Sequence, residues 1–418
     1  MTLQKASSMH HNRKENKVST NIEMLYIMNI VQLVLPLITL PYLTRVLSVD
    51  GYGVVSYVKS LIIYITLIIE FGYLLSGTRE VAEANNKRQL GVIIGKITVA
   101  KLILSSLAFL TLLLMIRFIP LLHRHALFTI LSFGSPFLSI FLFDYLFRGL
   151  ERMQITTCRF LITKGISTVL TFLLIKSDQQ LLLIPILDII GSLAAVIWIG
   201  FEIKHLEIHI YPAKWRNVWQ SLRESFVYFI SDVSATAFGA FNTLIVGIYL
   251  STESVAYWGL IITFIAAVQS MYMPISDGIY PRMIKQKSTK LLIRILAIFL
   301  PILLLGSVIG FFGAHLIMLI VGGSKYVGVA KYLQECIPLF ILIFFELILG
   351  WPTLGALGKI KETTFTTIIG AIVQVAGVLI WVNVLSISLL IIIRTVSELI
   401  MVLLRGYYIF HFRYLFLE

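Results

Sequence analysis

The chain has 418 residues, 58% of them hydrophobic and 13% charged, with a net charge of +13 and a mean hydropathy of +0.92. That charged share is about half what a water-soluble domain carries, which excludes a string of soluble domains. The basic residues lie in short loops between apolar stretches, which argues against nucleic acid as a partner.

Residues 1–21 form the longest hydrophilic stretch, rich in Ser, Asn, His and Lys, and read as a disordered cytoplasmic tail. The first apolar run is a full-length span with no cleavage site behind a short core, so it acts as an uncleaved anchor. Between Glu23 and Arg45 lie 21 consecutive uncharged residues, and a bilayer core about 30 Å thick takes roughly 20 per helix. Spans are expected at 22–44, 53–75, 91–117, 126–147, 158–176, 181–203, 225–250, 254–276, 291–320, 332–354, 363–383 and 387–410. With the N-terminus inside, 26 of the 34 Lys and Arg residues fall on the cytoplasmic side and 6 on the other, which sets both ends in the cytoplasm.

Leu47-Ser48-Val49-Asp50 after the first span is echoed by Leu250-Ser251-Thr252-Glu253 after the seventh. Twenty-nine residues beyond Asp50 and Glu253 stand Arg79 and Arg282, each ending a second helix. Six spans plus six in unchanged orientation make a parallel repeat. The fold expected is an all-α membrane protein of about 12 spans in two pseudo-symmetric six-helix lobes around a central cavity. The N-lobe is 22–203, the cytoplasmic linker 204–224 and the C-lobe 225–418. Tyr211, Trp215 and Trp219 among Lys214, Arg216 and Arg223 suggest a short interfacial helix in the linker, acting as a tether.

Enzyme motifs are absent. Gly322-Gly323-Ser324-Lys325 lacks the spacing of a phosphate loop, and His123 and His125 lack a third metal ligand. Cys158 and Cys336 read as small buried apolar residues. Gly91/Gly95 and Gly306/Gly310 have the spacing of close helix packing, and Pro36, Pro41 and Pro274 are candidate bending points. No cofactor is expected.

Charges deep in spans carry the functional signal, because each costs about 2.5–3.5 kcal/mol at a helix centre unless it faces a cavity or a partner. Lys59 is the cation best placed to meet an anionic headgroup, with Arg394 and Arg45 as further substrate-binding candidates. Asp188, Asp232, Glu346 and Glu398 are candidate carriers of a coupling H+ or Na+. Arg394 and Glu398 are four apart on one helix face, so an internal ion pair competes with both roles. Glu70, Arg79, Asp144, Arg148 and Arg282 gather toward the cytoplasmic ends as a candidate gating cluster. There, Glu70 and Asp144 either reach headgroups or pair with Arg79 and Arg148.

The stretch from Leu35-Pro36-Leu37 through Pro41-Tyr42-Leu43-Thr44-Arg45 resembles the first helix of bacterial O-antigen and polysaccharide flippases. So do Asp50-Gly51-Tyr52-Gly53, Glu70-Phe71-Gly72-Tyr73, Ser76-Gly77-Thr78-Arg79-Glu80 and Phe147-Arg148-Gly149-Leu150-Glu151-Arg152-Met153. The chain departs from that pattern at Glu70, where Asp is expected, and at Arg148, where Gln is expected. The resemblance implies two six-helix lobes in the bacterial inner membrane. It implies ion-coupled alternating access that carries an undecaprenyl-diphosphate-linked oligosaccharide from the cytoplasmic to the periplasmic leaflet. It also implies neighbours among membrane lipids and the polysaccharide polymerase and chain-length machinery. The rival readings are a multidrug or small-cation exporter, which favours acidic cavities, a peptidoglycan-precursor flippase, which carries extra helices, and a membrane glycosyltransferase or polymerase, which carries a long polar catalytic loop.

Overall fold

Apolar runs of this length leave the backbone one economical way to satisfy its own hydrogen bonds in hydrocarbon, the α-helix. The computed structural model describes residues 24, 27–32 and 34–416, and for 231, 234–240 and 281 the backbone alone. The tail expected at 1–21 lies outside the described residues. Among those described, no strand occurs.

The helices are α1 (Ile27–Val46), α2 (Val49–Ala82), α3 (Lys87–Phe118), α4 (Ala126–Gly149), α5 (Met153–Leu174) and α6 (Leu183–His205). They continue with α7 (Trp215–Tyr249), then α8 (Thr252–Gln286), α9 (Thr289–Val321), α10 (Ile337–Gly355), α11 (Ile360–Ile380) and α12 (Ile387–His411). Eleven of these are long and apolar enough to cross a membrane. The remaining one, α7, contains the expected seventh span but carries Ser225, Asp232, Asn242 and Thr243 along its length.

Several starts are written in the sequence as capping residues. Ser48 Oγ accepts from the Gly51 N–H at 2.9 Å, Asn86 Oδ1 from Gln89 at 2.9 Å, Ser251 Oγ from Ser254 at 3.2 Å, Ser288 Oγ from Leu291 at 3.3 Å and Ser386 Oγ from Leu389 at 3.2 Å. Ser48 and Ser251, matched in the expected repeat, cap their helices in the same way, each with an acid in the first turn, Asp50 and Glu253, where the helix dipole favours it.

The chain divides into two compact units. Of the described residues, those up to Tyr42 with Val46–Gly51 and Val58–Ala235 form the first, while Leu43–Arg45, Tyr52–Tyr57 and the residues from Thr236 onward form the second. The first unit is centred on Tyr73, Ile94, Ile97, Tyr145, Phe147 and Ile199, and the second on Met283, Leu303, Phe344 and Ile348.

Three helices are interrupted. In α2, Phe71 (φ 45°) and Gly72 (φ 74°) turn left-handed. A Cβ at Gly72 would lie 2.6 Å from the Tyr228 Cβ on α7, so glycine serves both the turn and the contact. In α4 the break is Phe143 (φ 50°), a conformation that costs an L-residue about 1–2 kcal/mol. In α10 the segment Leu349–Gly355 winds as a π-helix, with Gly350 at ψ −113° and Pro352 inside. Pro352 cannot donate to the Ile348 carbonyl, and the Thr353 hydroxyl does so instead at 2.8 Å. Pro36, Pro41 and Pro274, the expected bending points, all lie within helical runs.

The linker departs from expectation. No separate interfacial helix forms. Residues 206–214 run as a non-helical strap, and Trp215 and Trp219 are exposed in the opening turns of α7. The strap lies on α3, where the Tyr211 N–H donates to the Gly91 carbonyl at 3.2 Å. A Cβ at Gly91 would sit 1.8 Å from the His209 oxygen, and one at Gly95 1.9 Å from the Tyr211 oxygen. These two glycines admit an extended chain rather than a helix. Lys87 adds a 2.7 Å ion pair to Glu207, holding that carboxyl below its ordinary range.

Gly306 and Gly310 differ, since a Cβ at Gly310 would lie 3.2 Å from Ile337 Cδ1 of α10, a close approach between helices. Nothing lies within 4 Å of a Cβ at Gly306, and both line an apolar cavity of about 370 Å³ in the second unit, bordered by Phe264, Tyr272 and Phe344. Cys336 is buried as expected, whereas Cys158 is exposed.

Candidate functional site

Each helix break sets a carboxylate beside it, and each of those carboxylates meets a cation from another helix. Glu70, the last residue before the α2 break, lies 2.6 Å from Lys101 Nζ of α3 and accepts from the Ser139 hydroxyl at 3.2 Å. Asp144, the first residue after the α4 break, lies 2.8 Å from Arg159 Nη2 of α5. Glu346, just before the α10 break, lies 2.7 Å from Arg405 Nη1 of α12. The cations are well buried, Lys101 at 3% side-chain exposure, Arg159 at 13% and Arg405 at 3%.

Of the expected gating cluster, Glu70 and Asp144 come within electrostatic reach of each other, whereas the arginines do not join them in the first unit. Arg79 pairs with Glu83 at 2.9 Å and stays exposed, and Arg148 and Arg282 are exposed. Nine residues separate Glu70 from Arg79, about 14 Å along a helix, so Lys101 on the neighbouring helix is the nearer partner. Asp232 of α7 is half-buried and within electrostatic reach of Glu70.

A different set gathers near mid-span in the first unit. Lys59 stands ten residues into α2 and Lys164 eleven residues into α5, each about 15 Å from its helix start. Asp188 of α6 accepts from the Ser167 hydroxyl at 2.6 Å and lies 3.9 Å from Lys164 Nζ. Lys59 is within electrostatic reach of both Asp188 and Lys164. Lys164 is thus the nearer of the two ammonium groups to this carboxylate, with Lys59 within its field. Lys164 is 47% exposed and Lys59 is likewise exposed. At that depth an ammonium facing bare hydrocarbon carries a heavy penalty, which a wet cavity or a counter-charge removes.

In the second unit the charges turn inward instead. Arg394 Nη2 lies 2.5 Å from Glu398 Oε1, with side chains 13% and 3% exposed. This is the internal pair foreseen from the spacing, and it leaves Arg394 shielded. Gln374 Nε2 donates to Asn242 Oδ1 at 3.2 Å, and Ser397 donates to the Gly370 carbonyl at 2.6 Å. Arg45 donates to the Ile320 carbonyl at 2.6 Å, and Thr44 to that of Val321 at 2.9 Å. Both serve the carbonyl end of α9.

Sequence reasoning passed over Lys101, Arg159, Lys164 and Arg405 by counting them as loop charges. The signal was present, since all four fall inside the expected spans 91–117, 158–176 and 387–410.

Comparison with known proteins gives a consistent picture. The polysaccharide biosynthesis protein family matches residues 18–287. A protein of Shigella dysenteriae named "Putative O-antigen transporter" is 28% identical over 365 residues, covering 85% of this chain and 90% of that one. One of the same name from Escherichia coli (strain K12) is 26% identical over 323 residues, covering 75% and 76%. Among solved structures, the lipid II flippase MurJ in an inward closed conformation aligns at TM-score 0.68 with 15% identity, over 93% of this chain and 87% of that one. An inward-facing multidrug resistance MATE family transporter of the MOP superfamily aligns at 0.63 with 13% identity, over 91% and 97%. At those identities the structural likeness establishes a fold shared with these two proteins and nothing further.

Proposed function

This chain belongs to the polysaccharide biosynthesis protein family, and on that premise we propose that it is a flippase for a lipid-linked oligosaccharide, the repeat unit of a surface polysaccharide. The cargo is an undecaprenyl-diphosphate-linked sugar, taken from the cytoplasmic leaflet and delivered to the periplasmic leaflet of the bacterial inner membrane. A sugar head crosses hydrocarbon slowly because its hydroxyls lose water without replacement, and a shielded polar path removes that penalty. The work needs no enzyme chemistry.

The observation that carries the reading is the pair Lys59 and Lys164, open at mid-span around Asp188. Two ammonium groups facing a wet space attract a diphosphate. They repel the cations that a small-cation exporter would carry, which favours the flippase over that rival although the fold is common to both.

Coupling to H+ is supported by Glu398. The residue is 2% exposed, and among the described residues its Oε2 has no hydrogen-bond partner. An orphaned buried carboxylate oxygen is where an added proton relieves most desolvation. Asp188, Asp232 and Glu346 remain the other candidate carriers. Both chain ends lie in the cytoplasm on this reading. With Lys101, Arg159, Lys164 and Arg405 removed from the loop count, 22 basic residues still stand against 6. The polymerase and chain-length machinery would take up the delivered unit.

Deleting the gene and analysing surface polysaccharide tests the proposal. Loss of the polymer with accumulation of lipid-linked repeat units supports it, and unchanged polymer without accumulation refutes it.

A further inference from the structure

Asp188 shares the mid-span cluster with the two lysines that an anionic cargo would need. Its Oδ1 is held by Ser167 at 2.6 Å and stands 3.9 Å from Lys164 Nζ, with Lys59 also in reach. The segments packed on α6 from the other side, Ala126–Ser132 and Gly134–Ser139 of α4, carry no ionisable side chain. The charges named around Asp188 are therefore these two ammonium groups. A carboxylate in this position neutralises part of the positive field while the site is empty. When a diphosphate enters, the same carboxylate repels it and competes for the ammonium groups.

We infer that Asp188 is a tethered competitor for the anionic headgroup, a positioning residue that acts through Lys59 and Lys164 to keep cargo affinity low enough for release. This rests on the flippase reading and deepens it. A carrier that binds its cargo too tightly keeps it, so a site that must empty needs its attraction moderated. Ser167 fits that role, because its hydroxyl steers the carboxylate and leaves Lys164 beyond direct hydrogen-bond distance.

Removing a side chain from a binding site ordinarily weakens binding, whereas here it strengthens it. Purified protein in detergent is titrated calorimetrically with farnesyl diphosphate, with farnesol as the uncharged control. Wild type binds the diphosphate and not the alcohol. Asp188→Asn, which keeps the Ser167 hydrogen bond, binds it about tenfold tighter, the order expected when one like charge is removed at close range in a partly wet site. Lys164→Gln binds about tenfold more weakly. In vesicles Asp188→Asn moves cargo more slowly despite the tighter binding. Should Asp188→Asn not fold, Asp188→Ser serves, with the same expected gain. Equal or weaker binding by a folded Asp188 variant, beside normal wild-type binding, overturns the competitor and leaves the flippase standing. Absence of diphosphate binding by wild type overturns both.

Discussion

Arg405 Nη1 lies 2.7 Å from Glu346 Oε1 and 2.5 Å from the Glu346 carbonyl oxygen, so one guanidinium grips both side chain and backbone just before α10 breaks. Its Nη2 donates to Thr367 at 2.9 Å and its Nε to Thr366 at 3.1 Å. All three nitrogens are committed within the protein, which makes Arg405 a clamp on the interrupted helix rather than a hand for cargo.

Arg405→Ala should therefore destabilise the folded protein by about 3–5 kcal/mol, because Glu346 is left charged and unpaired. Thermal unfolding in detergent, followed by size-exclusion profile, checks this. Glu346→Gln in the Arg405→Ala background should recover part of the loss, since the uncompensated charge is gone.

Substitutions of the mid-span lysines should behave differently. Lys59→Gln and Lys164→Gln are expected to abolish rescue of surface polysaccharide in a deletion strain while membrane protein levels hold. Lys101→Ala and Arg159→Ala should lower the protein level itself, because each strands a carboxylate, Glu70 or Asp144. Arg394→Ala belongs with the second group, since it leaves Glu398 unpaired. Immunoblots of membranes beside polysaccharide gels separate the two classes.

The contrast also shows where the sequence was legible. Loop positions and the helix starts capped by Ser48 and Ser251 follow from apolar run length and cap chemistry, which are local. The 394–398 pair follows from helical spacing. The partners of Glu70, Asp144 and Glu346 come from other helices, 15 to 59 residues away, and no local pattern names them. The breaks at Phe71 and Phe143 were equally hidden, because phenylalanine has no preference for a left-handed turn and tertiary packing imposes it. Gly91 and Gly95 admit the strap rather than a helix, and Gly306 borders a cavity, since spacing records that room exists without saying what fills it.

The strap over α3 gives a third test. Gly91→Ala puts a methyl where the His209 carbonyl oxygen now stands, 1.8 Å away, and should lift residues 206–214 off the helix. In membranes with that face accessible, trypsin should cut at Lys214 faster than in wild type. An unchanged cleavage rate would mean that the strap is not docked through Gly91.

The equivalent caps provide a fourth. Ser48→Ala and Ser251→Ala each remove one side-chain acceptor from a helix start and should each lower stability by about 0.5–2 kcal/mol. Comparable shifts in unfolding temperature for the two variants are expected from their matching geometry.

Transport by the purified protein tests the central claim most directly. Proteoliposomes holding a fluorescent, short-chain diphosphate-linked oligosaccharide are treated with a membrane-impermeant quencher, and the protected fraction is followed in time. The protein should convert the inner-leaflet pool to a quenchable one, and the Lys59→Gln, Lys164→Gln double variant, incorporated to the same level, should not. Identical protected fractions with wild type, with the double variant and with empty liposomes would contradict a flippase built on those lysines.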